Sequence, residues 1–349
     1  MTTSSFFLHA TFFLLLTIVG YCITLFLYKK AIAIDQPTDR SSHSQATPRG
    51  GGVAIVITFC IGMLVVYFFG DKTHIKQSYM ISFILSSLSI ALISFLDDIK
   101  RKNTLLKLAV MIIAILGVMW GGIVLDQLTL PFFGRTHLGW FAYPLTFFWI
   151  LGLTNAVNFM DGLDGLVGGT MAITSLFFMA ITFYQGSTFV YITSYTLLAG
   201  TVGFLVLNFP PAKIFMGDVG SVFLGFVFAT LAIIAAIYDN SHTSFLVIPL
   251  LLFHIIFDTF FTFLRRCFNG ENVIEPHRSH LYQLVQRLGY SHLEVTLMQY
   301  CFCLLQGLAA IWMVHLQGNI RLFVFVPFLL LNSTYATIVI RKAKEKRLL

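Results

Sequence analysis

Charge is scarce in this chain. Only 11% of its 349 residues are Asp, Glu, Lys or Arg, against about 25% in a soluble domain. The shortage argues against an ordinary water-soluble globule, because 57% of the residues are hydrophobic and apolar runs near 20 residues recur from end to end. Each run is long enough to cross a bilayer core of roughly 30 Å. C-x-x-C spacing is also missing. Cys22, Cys60, Cys267, Cys301 and Cys303 are scattered, which suggests neither a zinc site nor a disulfide framework and leaves packing as their ordinary role. No basic stretch precedes the first apolar run at Phe6, and no small-residue cleavage site follows it. That run is therefore expected to be retained as a span. There is no internal repeat and no low-complexity segment.

What is present is a series of eleven apolar runs, at 6–28, 50–70, 77–96, 104–123, 141–158, 168–184, 189–207, 220–238, 243–263, 295–315 and 321–339. They predict an all-α integral membrane protein with about eleven transmembrane helices, formed as a single polytopic domain over 1–349. The runs separate two sets of loops. One set comprises 29–49, 97–103, 159–167, 208–219, 264–294 and the tail 340–349. The other comprises the N-terminus, 71–76, 124–140, 185–188, 239–242 and 316–320. All but four of the 22 Lys and Arg residues fall with the first set, the exceptions being Lys72, Lys76, Arg135 and Arg321. The positive-inside rule then places the first set in the cytoplasm, the N-terminus outside and the C-terminus inside. The same rule explains the net charge of +7 without nucleic acid. Pro131, Gly134 and Gly139 suggest a short outer hairpin within 124–140.

The acids are more informative. All but three of the 15 lie on the predicted cytoplasmic side, the exceptions being Asp71, Asp126 and Asp239. Acids contribute little to topology, so this gathering needs another cause. Asp97-Asp98 ends an apolar run. Buried together the pair would need a cation, and it reads either as a solvated pair before a basic loop or as a hard-cation site or general base. In Asn155-Ala-Val-Asn158-Phe-Met-Asp161-Gly-Leu-Asp164-Gly165, steps of three swing around a regular helix. The glycines suggest unwinding, which would turn two amides and two acids into one cavity. Gly217-Asp218-Val-Gly220-Ser221 reads either as a turn with a helix cap or as a Mg²⁺ ligand beside glycines that admit a phosphate. His277, Arg278 and His280 read either as a basic surface loop or as phosphate ligands. Hard-cation ligands, glycines and phosphate donors on one membrane face favour metal-assisted phosphoryl transfer.

These segments together resemble the polyprenyl-phosphate N-acetylhexosamine-1-phosphate transferases, the superfamily of MraY and WecA, with the nearest likeness to the WbpL-like O-antigen-initiating branch. The resemblance rests on RSSH…TPRGGG at 40–52, DD at 97–98, NAVNFMDGLDGL at 155–166, FMGDVGS at 215–221 and PHRSHLYQ at 276–283. It implies that UDP-HexNAc and undecaprenyl phosphate react to give HexNAc-diphosphoundecaprenol and UMP at the cytoplasmic face of a bacterial inner membrane. The implied cofactor is Mg²⁺, with Mn²⁺ as a substitute. The implied partners are the two substrates and the lipid bilayer, with no nucleic acid, and a homodimer is compatible.

The resemblance also implies roles. Asp218 would be the leading metal ligand, assisted by Asn158. Asp97 would be the base or positioner for the lipid phosphate, with Asp98 beside it. Asn155, Asp161 and Asp164 would contact substrate, the two acids at the nucleotide. His277, Arg278 and His280 would hold the diphosphate and sugar, and Arg49 and His43, with Arg40 and Thr47, would form part of the same floor. Arg278 and Ser279 interrupt the histidine run of MraY-like members, which favours a simple or deoxy UDP-HexNAc donor such as GlcNAc, FucNAc or QuiNAc.

A phosphate monoester with a second pKa near 6 is largely dianionic at neutral pH, so Asp97 stands open as base or as positioner. Direct attack and a two-step route through an aspartyl intermediate are both compatible with the residues. A transporter for an anionic solute is the competing reading, since intramembrane acids and broken helices also mark transporters. It expects acids near the bilayer midplane and between repeats, whereas these lie at run ends. A structural scaffold would leave the ordered motifs unexplained. Asp35 and several glutamates read as solvated loop charges, and Asp258, inside an apolar run, has no role from sequence.

Overall fold

The computed structural model describes residues 3–37, 46–69, 75–100, 104–130, 132–273, 275 and 277–349. In lipid, backbone polar groups must be satisfied within the protein, and a helix does this inside one segment. The apolar runs accordingly form α1 (Thr3–Lys30), α2 (Gly52–Phe69), α3 (Gln77–Lys100), α4 (Thr104–Trp120), α5 (Ala142–Met160), α6 (Leu166–Tyr184), α7 (Phe189–Asn208) and α8 (Asp218–Ile233). The chain continues through α9 (Val247–Leu251), α10 (Phe253–Phe268), α11 (Leu281–Arg287), α12 (His292–Val314) and α13 (Phe325–Glu345). Among the described residues, eight helices are long and apolar enough to cross a membrane, and Gly52–Val65 and Leu105–Trp120 are shorter apolar helices. The run at 243–263 is divided into α9 and α10. Leu252 separates them, with φ −107° and ψ +18°.

α8 forms the axis of the bundle. Every residue from Val219 to Ile233 is buried, against α2, α3, α5 and α9. Lipid gives apolar side chains no incentive to leave it, so helices in a membrane hold together by close packing, often at small residues. Gly225 is such a contact: a Cβ there would lie 2.8 Å from the Thr154 Cα of α5. Gly203 of α7 meets the α1 backbone in the same way, with a Cβ position 2.6 Å from the Thr17 carbonyl oxygen.

The described residues of the two loop sets form separate groups. In one group, β3 (Gln127–Leu130) and β4 (Gly134–His137) form the expected hairpin, in register from Gln127↔His137 to Leu130↔Gly134. The Ser187 hydroxyl donates to Asp239 at 3.1 Å and the Thr243 hydroxyl donates to Gln185 at 2.7 Å. In the other group, β1 (Ala33–Asp35) pairs antiparallel with β2 (Thr47–Arg49). The Phe215 N–H donates to Pro48 O at 2.8 Å, and the N–H groups of Gly51 and Gly52 donate to the carbonyls of Phe215 and Met216 at 2.9 Å each. Glycine is required for this approach, since a Cβ on Gly52 would lie 2.3 Å from the Gly220 Cα. The TPRGGG segment is thereby fastened to the start of α8.

Gly225→Val should force α5 and α8 apart. Overpacking of this kind costs about 1–3 kcal/mol, and the expected result is a lower unfolding temperature in detergent. An unchanged unfolding temperature would show that the contact is not tight.

Candidate active site

The first turn of α8 has orphan backbone N–H groups, and its N-cap, Gly217, has no side chain to cover them. Asp98 supplies the cover from the end of α3. Its Oδ1 accepts the Asp218 N–H at 3.2 Å and its Oδ2 accepts the Val219 N–H at 3.1 Å. Arg49 of β2 donates to the same Oδ1 and lies 3.8 Å from Asp35. The Asp98 side chain is 1% exposed, so its charge needs these partners. Gly217 has φ +74°, and a Cβ there would lie 2.6 Å from Asp98 Oδ2. Asp97 is half-buried and, like Asp98, lines neither of two cavities found here. The structure therefore places Asp98, rather than its neighbour, at the centre.

Asp218 is held by two donors. Lys107 Nζ of α4 lies 2.5 Å from its Oδ2 and Asn158 Nδ2 of α5 lies 3.0 Å from its Oδ1. Asn158 Nδ2 also lies 2.9 Å from the Ser221 hydroxyl, which leaves the Asn158 Oδ1 outside these bonds. Asp161 ends α5, with φ −82° and ψ +59°. Burial, then the Asp218 and Asp98 charges, push its carboxyl up to about 8, with Arg49 opposing. The cluster is thus short of positive charge, and more so as its acids ionise.

The motif at 155–165 does not open into one cavity. α5 remains helical to Met160, and three residues turn a helix by about 300°, so successive members point apart. Asn155 donates to the Leu151 carbonyl at 2.8 Å and lines an apolar groove. Asn158 meets Asp218, while Asp161 and Asp164 line a polar cavity. Asp164 also ties segments together. It accepts the Ala212 N–H at 3.0 Å and lies 3.2 Å from His292 Nδ1. The Thr296 hydroxyl donates to its carbonyl at 2.9 Å.

The loop after α10 is organised by Asp258. Its Oδ1 accepts the Leu281 N–H at 2.9 Å and its Oδ2 accepts the Tyr282 N–H at 3.1 Å. The Thr262 hydroxyl donates to Oδ1 at 3.1 Å, and His280 Nδ1 lies 3.2 Å from the same oxygen. A carboxylate can only accept, so His280 Nδ1 carries a proton. His277 is protonated on Nε2, because its Nδ1 accepts the Ser279 N–H at 3.3 Å. Burial, then the His280, Arg266 and Arg265 charges, lower His277 to about 4. It is neutral at pH 7 and serves as a hydrogen-bond partner rather than a cation. Arg278 lines neither cavity; its carbonyl accepts from Arg287 at 3.1 Å. Arg40, His43 and Pro276 lie outside the described residues.

Two unlike cavities meet here. The polar one, about 240 Å³, is lined by Asp35, Arg49, Asp161, Asp164, Asp218 and His292 among others. The apolar groove, about 650 Å³, runs between α5 and α10 along Phe148, Trp149, Phe159, Phe260 and Phe263 and reaches His277 and His280. Sequence reading missed Lys107, Asp35, His292 and the role of Asp258. Lys107 counted only as a topology charge and Asp35 as a loop charge. Neither carried a local motif.

Asp258→Ala would strand two buried backbone N–H groups, at about 1–3 kcal/mol each. The expected result is faster hydrogen exchange at Leu281 and Tyr282 with a lower unfolding temperature; wild-type protection would show that α11 does not depend on Asp258. His277 gives a pH test. From its ordinary 6.5 down to about 4 the unfolded chain binds a proton there that the folded chain refuses. Its contribution to stability is therefore full above pH 6.5 and lost as pH falls toward 4. His277→Asn should flatten that part of the unfolding-temperature profile, and parallel profiles would refute the assignment.

Residues 80–236 match the family described as glycosyl transferase family 4. The chain is 33% identical over 301 residues to a probable undecaprenyl-phosphate N-acetylglucosaminyl 1-phosphate transferase of Bacillus subtilis, covering 86% of this chain and 82% of the relative. It is 34% identical over 260 residues to a phospho-N-acetylmuramoyl-pentapeptide-transferase of Streptococcus pneumoniae serotype 2, covering 66% of this chain and 76% of the relative. A protein of the same description from Listeria welshimeri is 34% identical over 213 residues, covering 57% of this chain and 64% of that protein. This multi-pass membrane protein belongs to glycosyl transferase family 4, within the MraY and WecA superfamily of polyprenyl-phosphate sugar-1-phosphate transferases.

Proposed function

We propose that the chain transfers an N-acetylhexosamine 1-phosphate from a UDP-N-acetylhexosamine to undecaprenyl phosphate, with release of UMP. The observation that carries this reading is the meeting of two unlike cavities, one polar and rich in carboxylates, the other apolar and long. A nucleotide sugar suits the first. A polyprenyl chain suits the second, with its phosphate at the His277 and His280 end. Phe148 and Phe260 are 66% and 61% exposed, so the groove reaches the flank of the bundle where lipid lies. The donor is UDP-GlcNAc or a deoxy derivative such as UDP-FucNAc or UDP-QuiNAc, and the product begins a lipopolysaccharide O-antigen or a related surface polysaccharide. The protein sits in a bacterial inner membrane with the site facing the cytoplasm, and a homodimer is compatible with this arrangement.

The donor set fits Mg²⁺. That ion usually takes one or two carboxylates and completes its shell with water and substrate phosphate. Asp218 would hold it, with the Asn158 Oδ1 in support, and Mn²⁺ would be the natural substitute. The ion would neutralise the donor diphosphate and stabilise the leaving UMP. Among the described residues no group of three or more His, Cys, Asp or Glu forms a ready cage, which is compatible with an ion completed by substrate.

The protein's own residues position the reactants. Arg49, fixed between Asp98 and Asp35, presents its guanidinium at the polar cavity wall, where it can meet a phosphate oxygen. His277 Nε2–H is a neutral donor at the groove end. Asp98 is engaged by Arg49 and two backbone N–H groups, so its role is to hold the floor. Asp97 as base or positioner for the lipid phosphate would require that phosphate to reach the end of α3, outside the lining of either cavity.

Purified protein with Mg²⁺, undecaprenyl phosphate and a panel of UDP-HexNAc donors should release UMP. Asp218→Ala should lower turnover by about 100-fold or more, the scale of losing a principal electrostatic group, and EDTA should abolish it. No turnover with any donor, together with wild-type behaviour of Asp218→Ala in cells, would overturn the reading.

A further inference from the structure

Gln283 lines both the polar cavity and the apolar groove, and it is the residue that their walls have in common. It is held firmly. Asp258 fixes the two residues before it. The wholly buried Tyr282 donates its hydroxyl to the Phe159 carbonyl at 2.9 Å, which fastens the start of α11 to the end of α5. The Gln283 Oε1 accepts the His280 N–H at 3.3 Å, capping the start of α11. The side-chain amide has two N–H groups to place. They belong to a side chain that borders both the polar cavity and the apolar groove.

We propose that Gln283 is a catalytic residue of the junction, donating an amide N–H to a non-bridging oxygen of the phosphate being transferred. The inference rests on the reading above. In the reaction, a lipid-phosphate oxygen forms a bond to the β-phosphorus of the nucleotide sugar. The bond from that phosphorus to the oxygen shared with the α-phosphate breaks, and UMP leaves with the electron pair. Charge on the non-bridging oxygens changes where the two cavities meet. A donor at that point serves the reacting group rather than either substrate alone. Being neutral, it adds no ion pair to hold the diphosphate product.

The chemistry of the side chain separates this role from the cap. Gln283→Glu keeps an acceptor for the His280 N–H but removes the NH₂ donor. Gln283→Met keeps the length and removes both without adding charge. The proposal expects Gln283→Glu to unfold at the wild-type temperature while its kcat for UMP release, with both substrates saturating, falls about 100-fold. For Gln283→Met, which adds no charge, the KM values for lipid phosphate and UDP-sugar should each move less than about threefold, because the contact is made chiefly in the transition state. Gln283→Met should lose kcat as well, even where its unfolding temperature is lower. A Gln283→Glu variant with wild-type kcat would leave Gln283 as the cap of α11 and overturn the proposal. So would a loss confined to one KM. A wild-type protein that releases no UMP would instead overturn the transferase reading, so the two failures are distinguishable.

Discussion

The candidate site depends on one carboxylate that covers the start of a helix to which it does not belong. α8 begins after a glycine with no side chain, and Asp98 of α3 accepts its first N–H groups while binding Arg49 of β2. Three distant segments of the chain converge on this carboxylate. Removing any partner would leave charge or backbone donors unsatisfied in a buried place, which is far more costly than never having placed them there. The position of Asp218, the next residue into the helix, follows from this capping. So does the position of Arg49.

A second carboxylate repeats the device. Asp258 of α10 accepts two N–H groups at the start of α11 and one hydrogen from His280. The site is therefore framed by acids that act on backbone, and Asp35, Asp161, Asp164 and Asp218 line the polar cavity. Two cations, Arg49 and Lys107, balance part of this charge. Burial first, and then the Asp218 and Asp98 charges, raise the Asp161 carboxyl against the pull of Arg49.

Much of this was legible in the sequence. The apolar runs fall on helices because a membrane helix must be apolar along most of its length. Asp161, Asp164, Asp218 and Arg49 line the same cavity, as the gathering of acids and the ordered motifs suggest. The rest required three dimensions. Asp98 and Asp97 are adjacent in sequence, yet only the fold shows which one turns inward. Asn155 and Asn158 look equivalent at three-residue spacing, but α5 stays helical past both, so they face different cavities. Lys107 and Asp35 have no motif around them and become significant through partners far away in the chain. Asp258 is anomalous in an apolar run, but its partners lie beyond α10, in a loop that sequence alone cannot fold back. The division between α9 and α10 carries no glycine signal at Leu252.

The separate mouths of the two cavities have a kinetic consequence. The apolar groove reaches the flank of the bundle, and the polar cavity is lined by residues at helix ends and in loops, so neither substrate of the proposed reaction must pass through the space of the other. Such a site has no structural reason to impose an order of addition. Loading of the lipid is then a two-dimensional search, set by the density of acceptor in the membrane, while loading of the nucleotide is a three-dimensional one. The enzyme would respond independently to supply from either side of that phase boundary, and UMP would compete with the nucleotide sugar without hindering the lipid.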